Sequence, residues 1–453
     1  MGNCQRWWPM FESEVQIRIM EKLIKVLKAS PISEYKINIV ETTGNELFYI
    51  VDKLETSRAV NLKEVEVTIY IDRDGKRGCS SFMYYDYMNE EEIKEEIDKT
   101  IYAASFALNP FYELPAKSEG ELLKIHSNFA DKPLNETAQD IARAIFRCHK
   151  YEEGFLSATE IFVSKKIIRI INSKGVDVSE TRYEGFVEVI PSWGNKESEV
   201  ETYNSFTFSN FDANWITNKI NESLDLTKAR FSAKPLEVKG DLKVIIEDEG
   251  VPNVFSYFAR DLSYANKVRG TGRDDIGDKV QGDNVEGTLL NIDMVPFDAE
   301  SAIGCGFDND GVILRPVNLI KDGVAMNRYG SAQYGYYFGE KNPTGVLPIT
   351  KVALGTKSFK EMANEPYLRC CRFSSFQLDD NSGYFGGEVR LGFYFDGEKE
   401  IPVTGFSIGG TLKELRGKII FSKEKDVVLR HYGTRLMGYV GPKYLEIKGM
   451  NII

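Results

Sequence analysis

The strongest constraint on this chain is a pattern that occurs twice. Val65, Val67, Ile69 and Ile71 alternate at strict period two, the mark of a strand with one buried face. Asp72-Arg-Asp-Gly75 turns that strand toward a second one over 78–83. Asn89, with Glu92 three residues on, then opens a helix as a capping box, and Ile93, Ile97, Ile101 and Ala104 form its buried stripe. The order returns further along. Residues 160–171 read as a strand, Asn172-Ser-Lys-Gly175 as a turn with glycine available for positive φ, and 185–190 as a strand closed by Pro191. Residues 201–208 follow, then a helix carrying Trp215, Ile216, Ile220 and Leu224. Ser81-Phe82 corresponds to Ser205-Phe206, and Ile93, Ile97 and Ile101 correspond to Ile216, Ile220 and Leu224. This reads as an internal duplication of hairpin, strand and amphipathic helix. Helices precede both units, at 14–28 and at 135–149. In the first unit, 37–40 and 46–51 read as strands about a Thr43-Gly44-Asn45 turn, and 110–120 reads as a linker.

Beyond a boundary at 235–240 the pattern changes. A strand over 242–246 and a helix are followed by short strands separated by Gly, Asp and Asn, at 287–292, 312–320, 386–395 and 401–408. That spacing suits a compact, mostly antiparallel β domain. The expected fold class is α+β. A duplicated N-terminal α/β region, with repeats over 1–115 and 120–234, precedes a β-rich C-terminal domain over 236–453.

Composition narrows the function classes. Hydrophobic residues make up 42% and aromatics 12% of the 453 residues, enough for packed cores. The net charge of −11 and the lack of a Lys/Arg cluster argue against direct nucleic-acid contact, which needs a basic face to displace counterions. No apolar run reaches the length of a membrane span. Met1-Gly-Asn-Cys-Gln-Arg-Trp-Trp has no apolar signal core, and Arg6 stands where a myristoylation motif needs Ser or Thr. A cytoplasmic protein without a membrane anchor is the expectation. Of the six cysteines none forms a Cys-x-x-Cys pair, and adjacent Cys370 and Cys371 point to opposite faces if they lie on a strand. His126, His149 and His431 share no metal-ligand spacing, so the residues offer no local zinc motif.

The stretch 253–267 has the form of an active-site helix. Val254, Phe255, Phe258, Ala259, Leu262 and Ala265 make one apolar face, and Ser256, Tyr257, Arg260, Asp261 and Tyr264 fall opposite. Helical positions about one turn apart can hold a metal between them, but Ser256 and Asp261 stand where such ligands would be and neither is a histidine. A solvated polar face is the plainer reading.

Several segments in order resemble the TldD/PmbA family, the "modulator of DNA gyrase" peptidases. They are Asn172-Ser-Lys-Gly175, Ile276-Gly-Asp-Lys-Val280, Asp293-Met-Val-Pro-Phe-Asp-Ala-Glu300, Val317-Asn-Leu-Ile-Lys-Asp-Gly-Val324, the glycine-rich run 386–397, Ile401-Pro-Val403, Ser407-Ile-Gly-Gly-Thr-Leu412 and Gly441-Pro-Lys-Tyr-Leu-Glu-Ile447. The resemblance covers nearly the whole length. It implies a bacterial cytoplasmic assembly that degrades or matures peptides. In that family one subunit type, TldD, carries His-Glu-x-x-x-His and a C-terminal cysteine and binds zinc. The other, PmbA or TldE, lacks the motif and acts as its partner.

Here the motif positions read Ser256-Tyr-Phe-Ala-Arg-Asp261, and the C-terminal match over 434–441 contains no cysteine. The resemblance therefore implies the PmbA-like role: no catalytic residue, no metal and no cofactor of its own. Ser256, Tyr257, Arg260 and Asp261 become candidates for lining a peptide passage. The expected partners are peptides and either a second copy of the chain or a zinc-bearing TldD-like subunit, with neither nucleic acid nor membrane. Two alternatives stay open. One is a hydrolase using Tyr257, Asp261, Cys305 or the carboxylates of Glu247-Asp-Glu249, for which a solvated loop is the plainer account. The other is a gyrase-binding protein. The aromatic run Tyr334, Tyr336, Tyr337, Phe338 reads either as a subunit contact or as ordinary burial.

Overall fold

The computed structural model describes residues 20–453 apart from 119, 196, 238–241 and 433–434, and no side chains within 430–436. The expected helix at 14–28 is described only from residue 20. As α1, over 20–29, it buries Leu23, Val26 and Leu27.

The two N-terminal units share one antiparallel sheet. In the first, β1 (Glu34–Ile50), β2 (Lys53–Arg73) and β3 (Lys76–Met83) are backed by α1 and by α2 (Glu90–Ala104). Asn89 caps α2 and Glu92 completes the capping box. A short β4 (Leu108–Pro110) pairs with β3. In the second unit, α3 (Leu134–Ile145) precedes β5 (Gly154–Asn172), β6 (Asp177–Gly194), β7 (Glu199–Glu201) and β8 (Asn204–Phe208), and α4 (Ala213–Ser232) closes it. The sheet order is β4-β3-β2-β1-β5-β6-β7, with β8 also on β6. The matched residues take matched places: Phe82 lies opposite Val67, and Phe206 opposite Val187. Ile93 and Ile97 of α2 are buried, as are Ile216, Ile220 and Leu224 of α4.

The two units meet where β1 runs antiparallel to β5, with Gly44 opposite Ser164. The expected turn at Thr43-Gly44-Asn45 is absent: β1 passes straight through, and the chain reverses at Val51-Asp52, with Val51 at φ 57°. Gly44 serves closeness rather than turning, since a Cβ there would lie 2.7 Å from the Val163 carbonyl oxygen. Similarly, β6 is not closed by Pro191 but continues to Gly194.

The C-terminal part contains a nine-stranded and a six-stranded sheet. The larger includes strands Lys243–Ile246, Tyr367–Leu378, Tyr384–Phe395 and Phe406–Thr411; the smaller includes Ile292–Val295, Ile349–Val352 and Arg435–Pro442, with Lys425–Tyr432 at its edge. Helix α5 (Gly250–Asp261) belongs to the large core that draws on both sheets. Phe255 meets Phe421 at 5.0 Å and stacks on Tyr439 at 5.8 Å between ring centroids. The expected continuous helix breaks after Asp261. Ser263 caps a short α6 (Tyr264–Val268), and its hydroxyl also donates to the Arg260 carbonyl. Among the described residues no helix is long and apolar enough to cross a membrane.

The aromatic run lies on α7 (Ala332–Phe338), which holds the linker. Tyr337 donates to the Pro110 carbonyl at 2.6 Å and its ring meets Tyr112, while Tyr336 packs on Phe111 and stays 42% exposed.

Candidate functional site

The polar stripe of α5 is not a solvated face. Tyr257 and Asp261 are each 1% exposed, while Ser256 is half-buried and Arg260 exposed. A helix packed within a two-sheet core leaves little of its surface to water, so its buried polar residues must find partners in the protein. Asp261 finds them in the loop that follows α6. Its oxygens accept the backbone N–H groups of Arg273 (2.7 Å) and Asp274 (3.0 Å), and the Arg273 guanidinium lies 3.3 Å away. That guanidinium sits 3.6 Å from the Tyr257 ring centroid and donates to the carbonyls of Tyr257 and Asp380. Arg260 pairs with Asp380 at 2.8 Å, and the Ser256 hydroxyl donates to the Asn253 carbonyl at 2.7 Å.

Asp274 carries the electrostatic cost of this nest. Burial and then the neighbouring Asp261 push its carboxyl up to about 6, against Arg416 and Arg273. Burial likewise raises Tyr257, whose hydroxyl finds no partner among the described residues.

These residues do not fit zinc. Both oxygens of Asp261 are engaged by N–H donors, the Ser256 hydroxyl is turned to its own helix, and a guanidinium already occupies the space beside them. No group of three or more His, Cys, Asp or Glu side chains gathers among the described residues in a way that could hold a metal. The other residues weighed as catalytic are also constrained. Cys305 is buried, and burial pushes its thiol up to about 12, so it is held as the poorly nucleophilic neutral form. Cys371, which was not among those candidates, is also fully buried, and burial raises its thiol well above the ordinary range.

A larger space opens at the other end of α5. A cleft of about 720 Å³ lies between the second N-terminal unit and the C-terminal part. β8 residues, Trp215, Lys219 and Glu222 of α4 line one wall; Glu247-Asp248-Glu249, Arg372-Phe373, 426–429 and Lys443 line the other. The Glu247 triplet is thus not a solvated loop. Glu247 is 8% exposed and accepts from Arg369 at 3.1 Å; Asp248, held at φ 57°, accepts from Arg372 at 2.6 Å. Lys219 and Lys443 approach Glu222 at 3.7 and 3.6 Å. Burial alone would raise Glu222, but Lys219, Lys443 and Arg372 draw its carboxyl below its ordinary value. Asp426 is different: burial raises it despite Lys219 and Lys443, and one oxygen accepts only the Val427 N–H, at 2.9 Å.

The sequence reading singled out the Glu247 triplet but missed Glu222, Arg372, Asp426 and Lys443. They come from separate segments, and only the packing of the halves brings them to one cleft. No local spacing signals them.

Comparison with known proteins agrees with this architecture. Residues 239–453 match the PmbA/TldA metallopeptidase C-terminal domain. No curated protein matches the chain in sequence. Among solved structures, a proposed modulator of a DNA gyrase from Thermotoga maritima superposes with TM-score 0.74 at 16% identity, over 96% of this chain and 99% of that one. TldE from Thermococcus kodakarensis gives 0.74 at 14% identity, over 97% and 99%. A proposed modulator of DNA gyrase from Bacteroides thetaiotaomicron gives 0.72 at 13% identity, over 97% and 98%. At such identities these likenesses speak for the fold. Residues 239–453 thus match the PmbA/TldA metallopeptidase C-terminal domain, and the whole chain has the fold of these solved structures.

Proposed function

We propose that this chain is a non-catalytic, PmbA/TldE-like subunit of a TldD/PmbA-type peptidase assembly that degrades or matures peptides in the cytoplasm. The observation carrying the reading is the state of the helix where the family places its metal motif. The positions from Ser256 to Asp261 offer no histidine, and the polar atoms of Ser256 and Asp261 are spent on the chain's own backbone and on Arg273. Likeness in fold to TldE over nearly the full length supports the same role. Peptide handling is further supported by the cleft. It is lined by β8 and by the edge strand Lys425–Tyr432, and edge strands present backbone groups to extended peptides. Ser256 and Arg260 remain candidates for a passage wall, whereas Tyr257 and Asp261 act on a peptide only through the loop they hold.

A subunit without its own chemistry works through contact, so we expect at least a dimer, with itself or with a zinc-bearing homologue. The test is purification from the native cell with metal analysis. The proposal expects a motif-bearing homologue in the same complex, and zinc that follows that partner. About one zinc per chain in the isolated protein would overturn it. A hydrolase working through Cys305 gains no support from a thiol held neutral.

A further inference from the structure

We infer that one stripe of α4 roofs a passage between the second N-terminal unit and the C-terminal part, long enough for an extended peptide, and that the Glu222–Lys443 ion pair is the latch that divides it. The class of occupant rests on the peptide-handling reading above; the latch rests on geometry.

Helix α4 has two faces. Ile216, Ile220 and Leu224 are buried in the core of its own unit. On the other face, Trp215, Lys219 and Glu222 line the cleft of about 720 Å³, while Asn218, Asn221, Glu222, Asp225 and Ala229 line a second hollow of about 570 Å³. Spaced three and four apart, these residues form one stripe along the helix. Two parts packed for good would fill such a seam with apolar side chains to the density of an interior. Here the stripe is mostly polar, and the seam is hollow on both sides of one contact.

Glu222, Glu247 and Lys443 border both hollows. Glu247 is fixed from below by Arg369 at 3.1 Å. Lys443 reaches across from the C-terminal part to Glu222 at 3.6 Å, and Lys219 of α4 itself approaches the same carboxylate at 3.7 Å. Burial works against the Lys443 charge, but Glu222 holds the ammonium protonated, so the pair stands at neutral pH. The Glu222 and Lys443 side chains keep 44% and 29% of their surface exposed, and a pair so open to water costs little to break. Broken, it leaves the two hollows continuous beneath α4.

The dimensions suit a strand of polypeptide. From Trp215 to Ala229 the stripe runs about 21 Å at about 1.5 Å per residue, and an extended peptide of about six residues spans about 20 Å. Phe206, Trp215 and Phe373 offer rings to apolar side chains at one end. At the other, Asn218 and Asn221 carry amides that can both donate to and accept from a peptide main chain. Asp225 and Asp248 on opposite walls disfavour a polyanion such as nucleic acid.

The test uses the full chain and an uncharged peptide of about six alanines and serines with blocked ends and a neutral fluorophore, its binding read by fluorescence anisotropy. Glu222→Ala, checked for an unchanged circular dichroism spectrum, should bind the peptide about fivefold more tightly than the unaltered chain. Added salt should tighten binding to the unaltered chain, because it screens the latch, and should leave E222A unchanged, because the peptide carries no charge. Asn218→Trp in the E222A background should fill the passage and abolish the gain. Lys443→Gln opens the same latch from the other wall and decides the matter if E222A fails to fold. Equal affinity in the unaltered chain and the latch variants, no binding to any of them, no salt effect on the unaltered chain, or a gain that survives N218W would each overturn the inference. Peptide handling by the assembly is judged separately, by co-purification and metal analysis, so the two readings can fail independently.

Discussion

Asp261→Ala asks whether the α5 stripe is a site or a joint. In the native chain the carboxylate, 1% exposed, accepts two backbone N–H groups at 2.7 and 3.0 Å and faces a guanidinium at 3.3 Å. Hydrogen bonds to a charged acceptor are worth about 1.5–3 kcal/mol each, and removing one member of a buried ion pair costs about 3–5 kcal/mol because the other member is left unmatched. The terms overlap, since Arg273 supplies one N–H and the guanidinium. A loss of about 4 kcal/mol is therefore expected. Asp261→Asn keeps an acceptor for one N–H but turns an amide toward donors, and should cost about 2 kcal/mol. Chemical denaturation followed by far-ultraviolet circular dichroism gives the stabilities. Amide hydrogen exchange at Arg273 and Asp274 reports the loop directly, because those N–H groups lose their acceptor. If D261A costs less than about 1 kcal/mol and leaves both amides as protected as before, the carboxylate is not a joint and the reasoning fails.

Other perturbations follow from the same geometry. Asp274 is raised in the fold, so its protonated form is favoured there; that contribution is full below the ordinary carboxylate range and is lost as pH rises through about 6. Asp274→Asn should therefore leave stability unchanged near pH 3.5 and add up to about 3 kcal/mol at pH 7.5, seen as a pH-dependent gain in denaturation midpoint; an equal effect at both pH values would contradict the shift. Gly44→Val would press a side chain into the Val163 carbonyl, and should cost about 2–3 kcal/mol with amide protection lost first along β1 and β5; a neutral effect would mean the strands can part at no cost. Arg77, 1% exposed, forks onto Asp72 at 2.7 and 2.8 Å, reaches Glu34 at 2.8 Å and lies over Phe111 at 4.6 Å. Arg77→Lys keeps the charge but not the fork, and denaturation should show a loss of about 3 kcal/mol.

What could be read from the residues was whatever lay close along the chain. The period-two run ending at Ile71, the Asn89–Glu92 capping box and the stripes of α2 and α4 are local, and they stand in the structure as expected. Gly44 was misread because glycine answers two needs, positive φ and close approach, and only the strand across from it tells them apart. Asp261 was misread because amphipathic periodicity assumes water on one side of a helix, whereas α5 shares a core with two sheets. Apart from the Glu247 triplet, the cleft residues could not be read: Glu222, Arg372, Asp426 and Lys443 gather there through packing between the halves.

The seam between β1 and β5 has a consequence for how such a chain came to exist. Thr43 and Lys165 face each other at its centre, and the flanking pairs run outward antiparallel without a shift of register, as they would between two copies of one unit. A single unit alone would present a long unpaired strand and would satisfy it by meeting another copy, at a rate and affinity set by protein concentration. Joining the units in one polypeptide removes that dependence, because the linked strand is always at high effective concentration. It also releases the halves from identity. Here the second unit gives β8 and α4 to a cleft, an asymmetry that a symmetric pair of identical chains could not have.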